Sequence, residues 1–131
     1  MKDLITETAA LEAVLVTDAG FAPAPAEDAL DIAPDADLDA LDLATPAIRV
    51  DFASFADGRG FTIARRLRLR GYTGRLVASG HVLADQYAMA RRSGFDAVQI
   101  NADLAARQPE DQWLARADWQ AHDHRARLRA A

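Results

Sequence analysis

The sequence predicts an α/β fold: a mainly parallel sheet of about four strands built from βα repeats, followed by a C-terminal helical segment. Three observations lead there. Apolar runs recur at Ala47–Phe52, Arg75–Ser79 and Phe95–Ile100. Segments with helical spacing, each about a dozen residues long, separate them. Glycines stand where each helical segment ends, at Gly71 and Gly94. Strands alternating with helices of this length require right-handed crossovers between parallel strands. The sheet is expected either as a half-barrel or as a small open sandwich.

Taken in order, residues 1–27 read as a divergent leading segment, 28–101 as the α/β core and 102–131 as a helical tail, all within one domain. Met1–Ala10 has no clear period and reads as an arm. Leu11–Thr17 reads as a short strand closed by Asp18-Ala-Gly20. Phe21–Ala26 holds Pro23 and Pro25, so it reads as a stiff linker. Asp28–Ala33 alternates as a strand does. Pro34-Asp-Ala-Asp37 then opens a short helix through Leu43, its acids suited to the positive end of the dipole. Asp35, Asp37, Asp39 and Asp42 lack the central glycine and terminal glutamate of a calcium loop.

Thr45-Pro46 breaks that helix, and Ala47–Phe52 follows as a buried strand. Phe61–Arg70 is the next helix, with Ile63, Ala64 and Leu67 on its apolar stripe and Arg65, Arg66, Arg68 and Arg70 mostly elsewhere. Tyr72-Thr-Gly74 turns into the strand Arg75–Ser79. The helix Val82–Ser93 directs Val82, Leu83, Tyr87 and Ala90 inward, and Phe95–Ile100 is the last core strand. Pro109 suits a helix's first turn, so Glu110–Arg129 reads as one or two helices. Trp113 and Trp119 are expected to pack on the body or on another subunit, and Arg125–Ala131 to form a basic end.

Composition excludes several function classes. The chain is half apolar and has no cysteine, which removes disulfides, thiolate nucleophiles and cysteine-held iron–sulfur clusters. No run is long and apolar enough for a membrane span, and the first residues lack a signal peptide's layout, so a cytoplasmic protein is expected. The net charge is −5, unevenly spread: 2 basic and 13 acidic residues through Asp57, then 13 basic and 7 acidic from Gly58 onward. Two readings follow: ordinary arginine-bearing helices beside an acidic front half, or a basic surface for an anion or an acidic partner. Nucleic acid fits poorly, because the total is acidic and aromatics do not interleave with the arginines.

Parallel α/β sheets place their sites beyond the carboxyl ends of the strands. The first such end supplies Asp57, Gly58, Arg59 and Gly60, with glycines suited to positive φ and to close approach of a ligand. The second supplies Ser79, Gly80 and His81, and the third Gln99 and Asn101. The helix start after the glycines offers unpaired N–H groups to an anion. Arg59 either clamps an oxyanion or pairs with Asp57 to stiffen the loop. His81 is either an acid/base or a solvent-exposed residue at a helix start. Asp85, four positions on, either orients His81 or serves as a first-turn acid. The amide of Gln86, on the apolar stripe, needs partners, and either a loop carbonyl or a ligand would supply them. His122 and His124 have no third metal ligand at suitable spacing. No dinucleotide fingerprint is present, since Ile63 stands where its third glycine belongs, and no zinc, haem-attachment or Walker motif appears. The cofactor, if any, is therefore unknown.

The runs Asp57-Gly-Arg-Gly-Phe-Thr-Ile-Ala-Arg65, Gly71-Tyr-Thr-Gly74, Gly80-His-Val-Leu-Ala-Asp-Gln86 and Arg92-Ser-Gly-Phe-Asp96 together resemble the bacterial family called domain of unknown function 934. The resemblance covers roughly Asp28 to Ile100. It implies a small protein encoded beside assimilatory sulfite reductase, of a kind described as an oxidoreductase of sulfite reduction. Many members carry cysteine where this chain has Ser93, and aspartate where it has His81. Asp57, Arg59, Asp85 and Gln86 match the family pattern. The leading expectation is an accessory or regulatory protein of sulfite reduction, binding an oxyanion, a cofactor or the reductase through Asp57–Gly60, with Ser79 and Gln86 nearby. One alternative is an enzyme acting on a small sulfur or phosphate compound, with His81 and Asp85 catalytic. Another is a non-catalytic assembly protein. Homo-oligomerisation is left open.

Overall fold

In the computed structural model, residues 13–24 and 29–120 are described. Met1–Ala10, His122, His124 and Arg125–Ala131 lie outside them, as do Leu11, Glu12 and Pro25–Asp28.

The β-rich runs form one sheet of six strands: β1 (Val14–Thr17), β2 (Gly20–Pro23), β3 (Leu30–Ile32), β4 (Ala47–Phe52), β5 (Arg75–Gly80) and β6 (Ala97–Ile100). Their spatial order is β2-β1-β6-β5-β4-β3. From β3 to β6, neighbours in space are neighbours in sequence and all pair in parallel. In β4 the side chains alternate: Ile48, Val50 and Phe52 are buried, whereas Arg49 is half-buried and Asp51 exposed. The in-register partners Leu76 and Ala78 on β5, and Val98 on β6, continue that apolar face.

Among the described residues four helices lie between and after these strands: α1 (Arg59–Leu69), α2 (Tyr87–Ser93), α3 (Ala102–Arg107) and α4 (Glu110–Leu114). Each contributes to the same apolar cluster, through Phe61, Ile63 and Leu67, through Tyr87 and Ala90, through Leu104, and through Trp113. Phe52 sits at its centre, edge-on to Phe61 at 5.0 Å and to Phe95 at 5.8 Å. Among the described residues, the opposite sheet face holds a small separate cluster, Leu15, Val77 and Ala97. The chain is thus α/β with a mostly parallel mixed sheet and its described helices packed on one face, an arrangement common to both expected forms.

Several expectations are corrected. The parallel part has the four strands expected, but the sheet has six, because the antiparallel hairpin β1–β2 joins it and Gly20–Pro23 pairs with β1 instead of forming a linker. Gly20, at φ 112°, makes the tight return possible. Pro23 is tolerated because β2 is an edge strand. The expected helix through Leu43 is a single 3₁₀ turn, Leu38–Ala40. Asp37 and Asp42 bond the backbone N–H two residues ahead, of Asp39 and Ala44, and such local bonds compete with a helix ladder. The helix before Gly94 is also shorter: Leu83 is extended, Ala84–Gln86 forms a 3₁₀ turn, and only Tyr87–Ser93 is α-helical. By contrast, α1 starts two residues earlier than the stripe suggested, at Arg59.

Trp113 packs on the body. It is 1% exposed, lies 6.2 Å from Tyr87 and donates its indole N–H to the Gln108 carbonyl at 2.8 Å. The charge asymmetry of the sequence closes on itself in three dimensions. Arg91 reaches Asp18, and Arg70 reaches Asp39, so basic residues of the second half meet acids of the first. This favours the plainer of the two charge readings.

Candidate functional site

The parallel register carries the ends of β4, β5 and β6 to one edge, where Phe52 faces Gly80 and Ser79 faces Gln99. Beyond β4 the chain turns through Ser54–Asp57, closed by the Asp57 N–H on the Ser54 carbonyl at 3.1 Å. The Asp57 carboxylate then accepts three bonds from Arg59: backbone N–H at 3.1 Å, Nε at 3.0 Å and Nη2 at 2.9 Å. Those bonds hold the Asp57 carboxyl below its ordinary range and push Arg59 up. The carboxylate is nearly covered (12% exposed), whereas the Arg59 side chain is 62% exposed. Asp57 therefore caps the first N–H of α1 and fixes one edge of the guanidinium. Among the described residues Nη1 has no hydrogen-bond partner, so the other edge is free to donate, with Asp35 adding a weaker pull on the same cation.

The two glycines around Arg59 do not adopt positive φ, contrary to expectation. Gly58, the N-cap of α1, has φ −90° and open space around it. Gly60 lacks a side chain for a packing reason: a Cβ there would overlap the Phe52 ring. The glycine that does need a positive φ on this edge is Gly80, at φ 113°, where a Cβ would come within 2.8 Å of the Phe52 carbonyl.

Just after Gly80, His81 returns to the same carbonyl: its backbone N–H donates to Phe52 O at 3.0 Å, and its Nδ1 lies at 3.1 Å. A carbonyl can only accept, so this contact calls for a proton on Nδ1 and leaves Nε2 as the basic nitrogen of the neutral ring. The ring stands edge-on to Phe55 at 5.0 Å. Asp85 does not orient it. With Leu83 extended, His81 lies outside the helix, the i to i+4 relation fails, and no hydrogen bond joins the two among the described residues.

Gln86 takes the structural option of its two. Its Oε1 accepts the Leu83 N–H at 2.9 Å and its Nε2 donates to the Phe55 carbonyl at 3.3 Å, tying the loop after β4 to the turn after β5. Asn101 caps α3 by accepting the Leu104 N–H at 2.8 Å. Ser79 and Gln99 are half-buried on the sheet face that bears no described helix. Sequence reasoning missed Phe55 and Gln108. Phe55 is an aromatic residue in a polar loop, a signal that was present. The Gln108 Oε1 accepts the Ala84 N–H at 2.6 Å across 24 residues, which no local pattern announces. Among the described residues no group of three or more histidines and carboxylates could hold a metal ion.

A family model described as bacterial protein of unknown function (DUF934) matches residues 23–126. The chain belongs to that family. No curated protein and no solved structure matches it. The match spans β3 to β6, all four helices and every residue of the site just described, and extends beyond the Asp28–Ile100 stretch that carried the resemblance. In this DUF934 chain, no helix among the described residues is long and apolar enough to cross a membrane.

Proposed function

We propose that this DUF934 chain is an accessory protein of assimilatory sulfite reduction that binds an oxyanion at Arg59. One observation carries the reading. Asp57 occupies the Nε and Nη2 donors of Arg59 and leaves the exposed edge of the guanidinium fixed and outward. A guanidinium held on one edge loses less side-chain freedom on binding, so its other edge is prepared for a planar or pyramidal oxyanion. The N-terminal end of α1, where Gly60 follows, adds the positive end of the helix dipole. The link to sulfite rests on the family resemblance. Binding is preferred to catalysis because His81 and Asp85 are not coupled and Gln86 is spent on the fold.

Calorimetric titration with sulfite, sulfate and chloride tests this. Saturable sulfite binding is expected, weakened at least tenfold by Arg59→Ala with the melting temperature kept. Equal heats from wild type and variant would overturn the anion site. A deletion strain grown on sulfate, sulfite, sulfide or cysteine tests the pathway separately. Failure on the first two with rescue by the last two is expected, and normal growth on all four would remove the sulfite assignment.

A further inference from the structure

The motif residues of the sequence divide into two groups. Most have duties within the fold: Gln86 ties two loops, Gly94 ends α2 at φ 119°, Phe95 fills the core, and Asp96 binds Arg68 and the Leu76 N–H. Asp85 has none and Arg92 only one. Asp85 is exposed and has no hydrogen bond or ion pair among the described residues, and Arg92 makes a single bond, Nη2 to the Trp119 carbonyl at 3.0 Å. Both face one groove.

This groove runs along the outer side of α2 and the turn before it, with Gln108, Gln112, Ala115, Arg116, Asp118 and Trp119 as its opposite wall. It comprises two adjoining hollows of about 320 and 340 Å³, which share Asp85, Ala115 and Arg116. Sites for small molecules begin near this size, at about 300 Å³. Hydrogen bonds join the walls at both ends, Arg92 to Trp119 at one and Ala84 to Gln108 at the other. Ala88, Met89 and Trp119 make part of the lining apolar. Four charges, Asp85, Arg92, Arg116 and Asp118, line the same hollow, yet none of them forms an ion pair with another.

Two cations and two anions, all four exposed, line one hollow and together match a ligand that brings both charges. A singly charged ligand would leave one pair of side chains unmatched. We propose that the groove binds a small zwitterion, an α-amino acid with an apolar side chain. Its carboxylate meets Arg92 and Arg116, its ammonium meets Asp85 and Asp118, and its side chain lies on Met89 and Trp119. Guanidinium matches a carboxylate in a planar fork, and both contacts are charge-assisted. This site is separate from Arg59 and does not depend on the reading given to that residue.

The test uses the full chain with the free proteinogenic α-amino acids, each added singly in a thermal-shift screen, followed by calorimetry with the strongest responder. Saturable binding is expected from at least one amino acid with an apolar side chain. Its N-acetyl form, lacking the ammonium, and its methyl ester, lacking the carboxylate, should each bind at least tenfold more weakly. Asp85→Asn and Arg116→Gln alter exposed side chains and should weaken binding at least tenfold with unchanged melting of the free protein, while Arg59→Ala leaves it intact. No saturable binding by any amino acid overturns the proposal. So does equal binding of the acetylated or esterified forms, or equal binding by both groove variants.

Discussion

The Tyr87 hydroxyl donates to the Asp18 carboxylate at 2.5 Å, joining the first residue of α2 to the β1–β2 turn across 69 positions of sequence. Arg91 and the indole of Trp119 converge on the same carboxylate, and the Arg91 guanidinium lies 4.9 Å from the Trp119 ring centroid. One acid thus fastens the hairpin, α2 and the segment after α4 together. Burial pulls the Asp18 pKa up, but the bonds from Tyr87, Trp119 and Arg91 outweigh it and leave the group below its ordinary 3.8. Tyr87 is pushed well above its usual value by burial and by the same carboxylate.

That arrangement makes stability acid-sensitive. The unfolded chain takes up the Asp18 proton at a higher pH than the native chain does, so stability is fully present above pH 3.8 and is lost as pH falls through the lower native value. Asp31 and Asp57 are lowered by Arg49 and Arg59 and act in the same direction. Thermal melts from pH 7 down to pH 2 should show Asp18→Asn less stable than wild type at neutral pH, with the gap narrowing below pH 4. A constant gap across that range would refute the linkage.

Tyr87→Phe removes the hydroxyl and keeps the ring against Trp113. Because the acceptor is charged and keeps Arg91, a loss of about 1–2 kcal/mol is expected in urea denaturation.

Arg68 bonds the carbonyls of Tyr72, Gly74 and Gly94 as well as the Asp96 carboxylate, so it closes the turns that lead into β5 and into β6. Arg68→Met keeps much of the stem and leaves those carbonyls without their donor. A loss of about 2–4 kcal/mol in urea denaturation is expected.

Glycines 58 and 60 should respond differently to alanine. Gly60→Ala forces a methyl group into the Phe52 ring and should cost about 1–3 kcal/mol. Gly58→Ala meets open space at a φ of −90° and should change the melting free energy by less than about 1 kcal/mol. Equal effects would mean that α1 does not pack on Phe52 as described.

Gln86→Leu cuts the tie between the two loops while keeping the side-chain volume. Hydrogen exchange should speed up at the Leu83 amide, with the Ala78 amide in β5 unchanged. An unaltered Leu83 rate would show that this bond does not hold the turn.

The core of the fold was legible because β4, β5 and β6 declare themselves by local apolar runs. Gly71 and Gly94 mark the helix ends as the chain passes them. What was not legible depended on distant partners. Gly20–Pro23 becomes a strand through its pairing with β1 rather than through its own composition. Asp85 failed as a partner for His81 because the extended Leu83 breaks the helical phase, which residue spacing alone cannot reveal. Gln86 was readable as an amide in need of partners, and it found a loop carbonyl. Gly60 was misread because the need for a small residue came from the ring of Phe52, eight positions earlier.

The antiparallel seam between β1 and β6 aligns Val14 with Ile100. A chain leaving the ribosome makes the β1–β2 hairpin early, long before that seam has a second side. Two strands alone are marginally stable in water, so the hairpin relies on its seam with β6 for support. The first of the described strands is thus held by the last, and their pairing covers the β6 edge that the parallel strands alone would leave open.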